Sequence, residues 1–268
     1  MGPEGLGVVC CTRSMGTWAC GVLALLLAAA AGAQPRGCEA RQSGALWSIA
    51  QACRDPGDPA RCLQNPSLPV QLLVDDARVS WNDRYIAIKD LKMTRPPCDR
   101  DADFFHGLAI PLARVCGVED DRRQSAAGGV WAFAWSVARR LEPPVDEDDI
   151  ALAVEPPYLR SQNQLHVHIV RLLDAARARF PRDEAPGAAC AEHVDDLREV
   201  WTAADRQWAC RRRLSPELPR WYGALVVRET DGGGALVPGY RVVTDDASVE
   251  LLYTRARCRA ARGPRSGI

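Results

Sequence analysis

The stretch Arg160-Ser161-Gln162-Asn163-Gln164-Leu165-His166-Val167-His168-Ile169-Val170 decides how this chain is read. Two of the four histidines stand there on alternate residues of an apolar, β-branched run. Side chains of a strand alternate between its faces, so Gln164, His166 and His168 fall on one face and Leu165, Val167 and Ile169 on the other. One face can pack on a core while the other presents two imidazoles. Same-face neighbours lie about 6.6 Å apart, so one ring can attack a group while the next holds an adjacent atom of the same substrate.

Working outward, Ile150 to Val154 reads as a strand, Glu155 to Ser161 as a loop and the histidine run as the returning strand, an antiparallel pair. Upstream, Tyr85 to Lys89 and Phe104 to Pro111 are further strands, the second stopped by its proline. Ser43 to Cys53 has apolar residues at helical spacing, and Gly129 to Leu141 is apolar on nearly every side, as expected of a buried helix. Downstream, Val194, Leu197, Val200, Trp201, Ala204 and Trp208 mark an amphipathic helix from about His193 to Cys210. Trp221 to Arg228 and Ala235 to Val243 are strands joined across Asp231-Gly232-Gly233-Gly234, a hairpin signal, and Ala247 to Ala256 is a final short helix. Helices mixed with antiparallel strands, without regular βαβ alternation, give an α+β fold with a C-terminal strand and helix elaboration.

The 268 residues are 47% hydrophobic, enough to bury a core, and the formal net charge is zero, so no basic field points to nucleic acid. Lysine occurs only at Lys89 and Lys92. The N-terminus carries Arg13, an apolar run from Gly21 to Ala31 and the small residues of Ala31-Gly32-Ala33, a secretory signal pattern. Counted from Met15, the run approaches the length of a membrane anchor. Residues 1–33 are therefore expected to be a signal peptide or anchor, and 34–268 a single domain. Beyond the leader, Cys38, Cys53, Cys62, Cys98, Cys116, Cys190, Cys210 and Cys258 are even in number and form no C-x-x-C pair, as in an exported disulfide framework. Cys53 and Cys62, closing a Pro/Gly/Asp loop, are the one pairing expected from position.

The alternating histidines admit three readings. They can be satisfied polar groups on a half-exposed strand. They can ligate Zn²⁺, which needs a third ligand from His106, His193 or a carboxylate. Or a neutral imidazole can attack phosphorus and form a phosphoramidate that water hydrolyses. Arg160, Gln162, Asn163 and Gln164 cluster before the histidines and fit an anion cradle, and Lys89 at its strand end is placed to reach a phosphate. His106 and His193 sit in no motif and read as structural or surface residues.

The run QNQLHVHIV resembles the histidine-triad signature. The order of features, Cys53 and Cys62, then Tyr85 to Leu91, the aromatic helix from Trp131 to Arg139, Ile150 to Ala153 leading into Arg160 to Asn163, then Arg220 to Gly223 and Cys258, resembles bacterial CDP-diacylglycerol pyrophosphatase. The resemblance implies a histidine-triad-like, membrane-associated hydrolase needing no cofactor, which cleaves the lipid nucleotide CDP-diacylglycerol to CMP and phosphatidate at a membrane surface outside the cytoplasm. It implies that His166 is the nucleophile and that His168 contacts phosphate or assists the leaving group. Two positions depart from the family pattern: Gln164 stands where the first triad histidine would be, and Glu155 where an uncharged amide is expected. Another nucleotide pyrophosphatase or nucleotidyl transferase of the same superfamily, and a non-catalytic, disulfide-stabilised secreted binding domain, are the alternative functions.

Overall fold

The computed structural model describes residues 42–55, 58–64, 70–101, 103–180, 190–231 and 234–258, and the expected leader lies outside them. Seven strands form one sheet: β1 (Tyr85–Lys89), β2 (His106–Pro111), β3 (Ile150–Val154), β4 (Val167–Arg171), β5 (Glu192–Val194), β6 (Gly223–Thr230) and β7 (Leu236–Asp245). Their order is β1-β2-β4-β3-β6-β7-β5 and every neighbouring pair is antiparallel. The helices are α1 (Ala45–Ala52), α2 (Pro59–Leu63), α3 (Ala77–Ser80), α4 (Arg123–Ala127), α5 (Val130–Ala138), α6 (Val200–Leu214) and α7 (Val249–Tyr253). The α+β class expected from the sequence is what the chain adopts. Among the described residues no helix is long and apolar enough to cross a membrane.

The two faces of the sheet carry different loads. Ala87, Ala109, Val167, Ile169, Leu152, Val154 and Val226 point to one face, where α5 and α6 cover them in the main core. Trp131 of α5 meets Trp201 of α6 there, ring centroids 5.0 Å apart at an edge-to-face angle. Burying each large apolar side chain in this layer is worth roughly 1.5–3 kcal/mol. The opposite face is divided. Ile86, Ile88, Leu108 and Ile110 pack with α1 in one small cluster, and Ala151, Ala153, Val170, Leu225 and Val243 pack with α7 in another. His106 and His168 share that divided face by strand alternation. These two histidines thus stand where apolar packing is interrupted.

Three local differences from the sequence reading have identifiable causes. The histidine strand begins only at Val167. Upstream, the main chain bonds elsewhere: Ser43 N–H donates to Ser161 O, Asn163 N–H to Ser43 O and Leu165 N–H to Val115 O. The helix expected from His193 begins at Val200, because Glu192–Val194 pairs with Val242–Tyr240 as β5. The Asp196 side chain accepts from Arg198 N–H and caps the short turn from which α6 starts. That helix also runs past Cys210 to Leu214, ending on Arg211, Arg212 and Arg213, whose charges suit a helix C-terminus. The β6–β7 hairpin forms as expected; Gly234 has φ +87°, a conformation that favours glycine, and Asp231 Oδ1 accepts from Ala235 N–H.

Cys53–Cys62 is bonded as expected, and Cys98–Cys258 and Cys190–Cys210 are bonded as well. Cys116 is also in a disulfide. This density is consistent with an oxidising, extracytoplasmic compartment. Cys190–Cys210 ties the start of β5 to α6, and Cys98–Cys258 ties the segment after β1 to the chain beyond α7.

Candidate active site

In β4, His168 lies in register between Leu108 of β2 and Ala153 of β3. His166 immediately precedes the strand and shares the same face, with ring centroids 4.8 Å apart. His166 Nδ1 is 2.8 Å from its near neighbour's carbonyl, Gln164 O. A carbonyl only accepts, so Nδ1 carries the proton and Nε2 keeps the lone pair. His106 of β2 joins from the side: its Nε2 is 2.9 Å from His168 Nδ1. Glu250 of α7 faces both, with Oε1 3.8 Å from His106 Nε2 and Oε2 3.6 Å from His168 Nδ1. Lys92 donates to Glu250 Oε1 at 2.6 Å.

These groups open on a cavity of about 510 Å³, a size suited to a small-molecule group. His166, His168, Glu155, Glu250 and Lys92 line its polar side, and Leu46, Ile49, Ile88 and Leu108 give it an apolar wall. A larger cavity of about 810 Å³ contains neither histidine; Asp75, Asp76, Asp99, Asp101 and Asp103 outnumber Lys89 and Arg171 on its lining, a balance that disfavours phosphate. The smaller cavity is therefore the candidate site.

Burial sets the protonation of the site. It pushes His166 down to about 3, helped by His168 and Arg160, and His168 down to about 3, helped by Lys92. His106 is held well below the ordinary histidine value by burial and by His168. All three rings are neutral at pH 7. Glu155 behaves oppositely: burial raises it to about 6, although Ser248 and the Glu250 main chain bond to its carboxylate and Lys92 lowers it.

The expected site residues fall into two groups. His166 and His168 meet in the cavity, and Lys89 and Gln162 reach its lining, Lys89 within 3.8 Å of Asp75 and Gln162 accepting from Leu46 N–H at 3.5 Å. Arg160 touches the cavity, but its guanidinium is held by Glu119 in a bidentate pair and by Gln42 Oε1 at 3.1 Å. Gly117 is where this pair presses on the backbone: a Cβ there would lie 2.0 Å from Arg160 Nη1. Asn163 Nδ2 donates to Gln42 O, away from the cavity lining. Gln164, fully buried, turns its Nε2 to Pro111 O and Ala113 O, both at 2.8 Å. Much of the expected anion cradle is thus a brace for the loop that presents His166.

Sequence reasoning missed Lys92 and Glu250 as members of the cluster; it named His106 only as one possible metal ligand and Glu155 only as a departure from the family pattern. His106, read as structural or surface, is fully buried against His168, whereas His193 is half exposed near Asp195, as expected. Its position at the start of an apolar strand was the available signal. Lys92 was marked only as one of two lysines. Nothing local distinguishes Glu250, which α7 brings from far along the chain.

Residues 74–187 match the family model described as CDP-diacylglycerol pyrophosphatase. That span contains His106, Glu155, His166 and His168. Among curated proteins, a CDP-diacylglycerol pyrophosphatase of Mycobacterium bovis (strain BCG) is 39% identical over 74 residues, covering 26% of this chain and 28% of the relative. A probable CDP-diacylglycerol pyrophosphatase of Mycobacterium leprae is 43% identical over 67 residues, 23% of this chain and 25% of the relative. A CDP-diacylglycerol pyrophosphatase of Yersinia pestis is 28% identical over 99 residues, 35% and 34% respectively. The chain matches these relatives over about a quarter to a third of their length.

Proposed function

We propose that this protein hydrolyses the pyrophosphate bond of CDP-diacylglycerol to CMP and phosphatidate, with His166 as nucleophile. The observation that carries the reading is the His166 tautomer: with Nδ1–H donated to Gln164 O, the neutral ring has its lone pair at Nε2. In this reading Nε2 attacks the phosphorus on the CMP side, the P–O anhydride bond breaks and phosphatidate leaves. Water then attacks the nucleotidyl-histidine, the P–N bond breaks, and CMP and neutral His166 are released.

The other groups divide the remaining work. If His106 Nε2–H donates to His168 Nδ1, His168 turns an N–H at Nε2 to a phosphate oxygen and the atom left unpartnered is His106 Nδ1, a lone pair. The opposite tautomers would bury an unpaired N–H, the costlier orphan. Lys92 supplies positive charge at the cavity wall, and Gln162 and Lys89 line the approach. The apolar wall of Leu46, Ile49, Ile88 and Leu108 suits the glycerolipid half of the substrate. A histidine-triad-like fold, a location outside the cytoplasm and approach to the substrate from a membrane surface belong to the same proposal; they are supported by the alternating histidines, the disulfides and the family match.

Assay of CMP release by the purified protein and by His166→Ala tests this. Abolished release in the variant, together with a CMP-sized mass adduct on wild type quenched during turnover, is expected; equal activity in the two proteins sinks the mechanism.

One observation favours a second reading. Ligand atoms of His106, His168 and Glu250 lie within 4.8 Å of one another, a set with the donors of a divalent-metal site. Lys92 already neutralises the same carboxylate, which favours the metal-free reading. Elemental analysis of the purified protein separates them: one equivalent of bound zinc would replace the proposed role of His168 by ligation.

A further inference from the structure

The nucleotidyl-histidine reading leaves one need unmet. The leaving phosphate oxygen gains by receiving a proton, and the incoming water must lose one. His168 and His106 are neutral and carry no acidic proton at pH 7. Lys92 is paired to Glu250.

Among the groups lining the cavity, Glu155 is the carboxyl with a buried oxygen left over. It follows β3 directly, on the face that Ala151 and Ala153 share with His168, and it lines the same cavity as His166 and His168. It also borders a pocket of about 10 Å³ beside His166, room for about one water molecule. Its two oxygens are treated differently by the fold. Oε1 is fixed by Ser248 Oγ–H at 2.7 Å and Glu250 N–H at 2.9 Å, whereas Oε2 is buried with no hydrogen-bond partner. A carboxylate oxygen buried without a partner is costly, but a carboxyl group placed to exchange a proton needs one oxygen free. The charged groups that face it are Glu250 from α7, which favours its protonated form, and Lys92 from the segment after β1, which opposes it. Tyr158, itself raised by burial and by Asp246, stands on the following loop, and Arg160 is committed to Glu119.

We propose that Glu155 is the proton-transfer residue of this site, giving its proton to the leaving phosphate oxygen and recovering one from the water that hydrolyses the adduct. The balance closes. In the first step the His166 Nε2–P bond forms, the P–O bond breaks, and the Glu155 proton goes to phosphatidate. In the second, water oxygen bonds to phosphorus, its proton goes to the Glu155 carboxylate, and the P–N electrons return to His166. A buried carboxyl raised to about 6 is poised for both directions near neutral pH. The departure from an amide at this position thereby becomes functional: in the protonated form that the first step uses, the carboxyl is uncharged like the amide.

This inference rests on the proposed nucleotidyl-histidine chemistry, and the experiment separates the two. Wild type, Glu155→Gln and His166→Ala are compared on CDP-diacylglycerol in detergent micelles and on the 4-nitrophenyl ester of CMP, whose leaving group needs no proton. Glu155→Gln keeps an acceptor for Ser248 and Glu250 N–H, and its melting temperature checks the fold. Its turnover of the lipid should fall about 10²–10⁴-fold; wild type should lose kcat/KM as pH rises through about 6, and in the variant that loss should vanish. On the ester it should release one equivalent of nitrophenol in a burst and then stall, with CMP retained on the protein. Unchanged lipid turnover in Glu155→Gln overturns the inference, and so does a slower enzyme with wild-type pH dependence and no burst. Absence of any adduct in wild type instead defeats the nucleotidyl-histidine reading itself.

Discussion

His106 and His168 are diagonal neighbours on one face of the β2–β4 ladder, and their ring nitrogens meet at 2.9 Å. Register places Leu108 opposite His168 and Val170 opposite His106, so the two rings reach across the diagonal and meet edge to face, centroids 5.1 Å apart. His106 has no exposure to solvent. It is placed to fix the tautomer and orientation of His168 without touching substrate.

Replacing His106 by Ala should therefore lower kcat by about 10²-fold, the scale of a small misplacement of a reacting group, and leave KM nearly unchanged. His106→Asn, which can still donate to His168 Nδ1, should recover part of the loss. Steady-state kinetics of both variants check this, and a rise in KM with constant kcat would assign His106 to binding.

Gln164 should prove structural despite its place in the alternating run. Gln164→Ala strips the donor from the buried Pro111 O, at roughly 1–3 kcal/mol, and from the more accessible Ala113 O, where water can replace it. His166 is held by the main chain of residue 164, so the folded variant should keep most of its kcat. Chemical denaturation together with the CMP-release assay measures both halves of the expectation.

The Arg160–Glu119 pair is almost wholly buried, with side chains 3% and 4% exposed. Removing one partner of such a pair costs about 3–5 kcal/mol because the other charge is stranded. Arg160→Lys should recover little, since an ammonium cannot span both carboxylate oxygens and Gln42 together. Gly117→Ala should destabilise through the same pair by forcing the guanidinium away. Urea unfolding of the three variants checks the order.

Stability should fall on acidification below about pH 6.5. His106 has a folded value below the ordinary histidine value near 6.5, and His166 and His168 are lowered to about 3, so as pH falls from 6.5 the unfolded chain binds more protons. Glu155 acts in the opposite sense: its folded value, raised from 4.5 to about 6, adds stability below 4.5 that is lost as pH rises through 6. Three large shifts outweigh one smaller one, so the net slope follows the histidines. Melting temperatures from pH 7 to pH 4.5 test this, and His168→Asn should make the decline shallower.

Cys98–Cys258 closes the chain around the site, because the segment after β1 carries Lys92 and the segment before Cys258 carries α7 and Glu250. The Cys98→Ser, Cys258→Ser double variant should lose about 2–5 kcal/mol. It should also lose activity before it unfolds globally, as Glu250 drifts from Lys92 and the histidines. Parallel thermal curves for activity and for circular dichroism would show whether the first precedes the second.

Local signals carried far in this protein. Tyr85 to Lys89 and Ile150 to Val154 are strands to the residue, because β-branched and apolar runs bounded by turns specify a strand without help from the rest of the chain. The His166/His168 pair, the 53–62 disulfide and the β6–β7 hairpin were legible for the same reason: each is set by residues close in sequence. The short strand at Glu192–Val194 was not, since only β7 gives it a partner.

The composition of the site was decided by tertiary structure. Arg160, Asn163 and Gln164 carry polar groups suited to phosphate, yet Glu119, Gln42, Pro111 and Ala113 claim them, because donors withdrawn from water take the acceptors the fold places beside them. His106, Glu155, Lys92 and Glu250 are ordinary in their own segments and become a cluster only when β2, β3 and α7 converge on β4. The sequence by itself determined an α+β chain with two imidazoles on one face of a strand. Which groups surround those imidazoles, and how burial sets their protons, depended on contacts between residues as far apart as Lys92 and Glu250, a separation of 158 positions that no local pattern encodes.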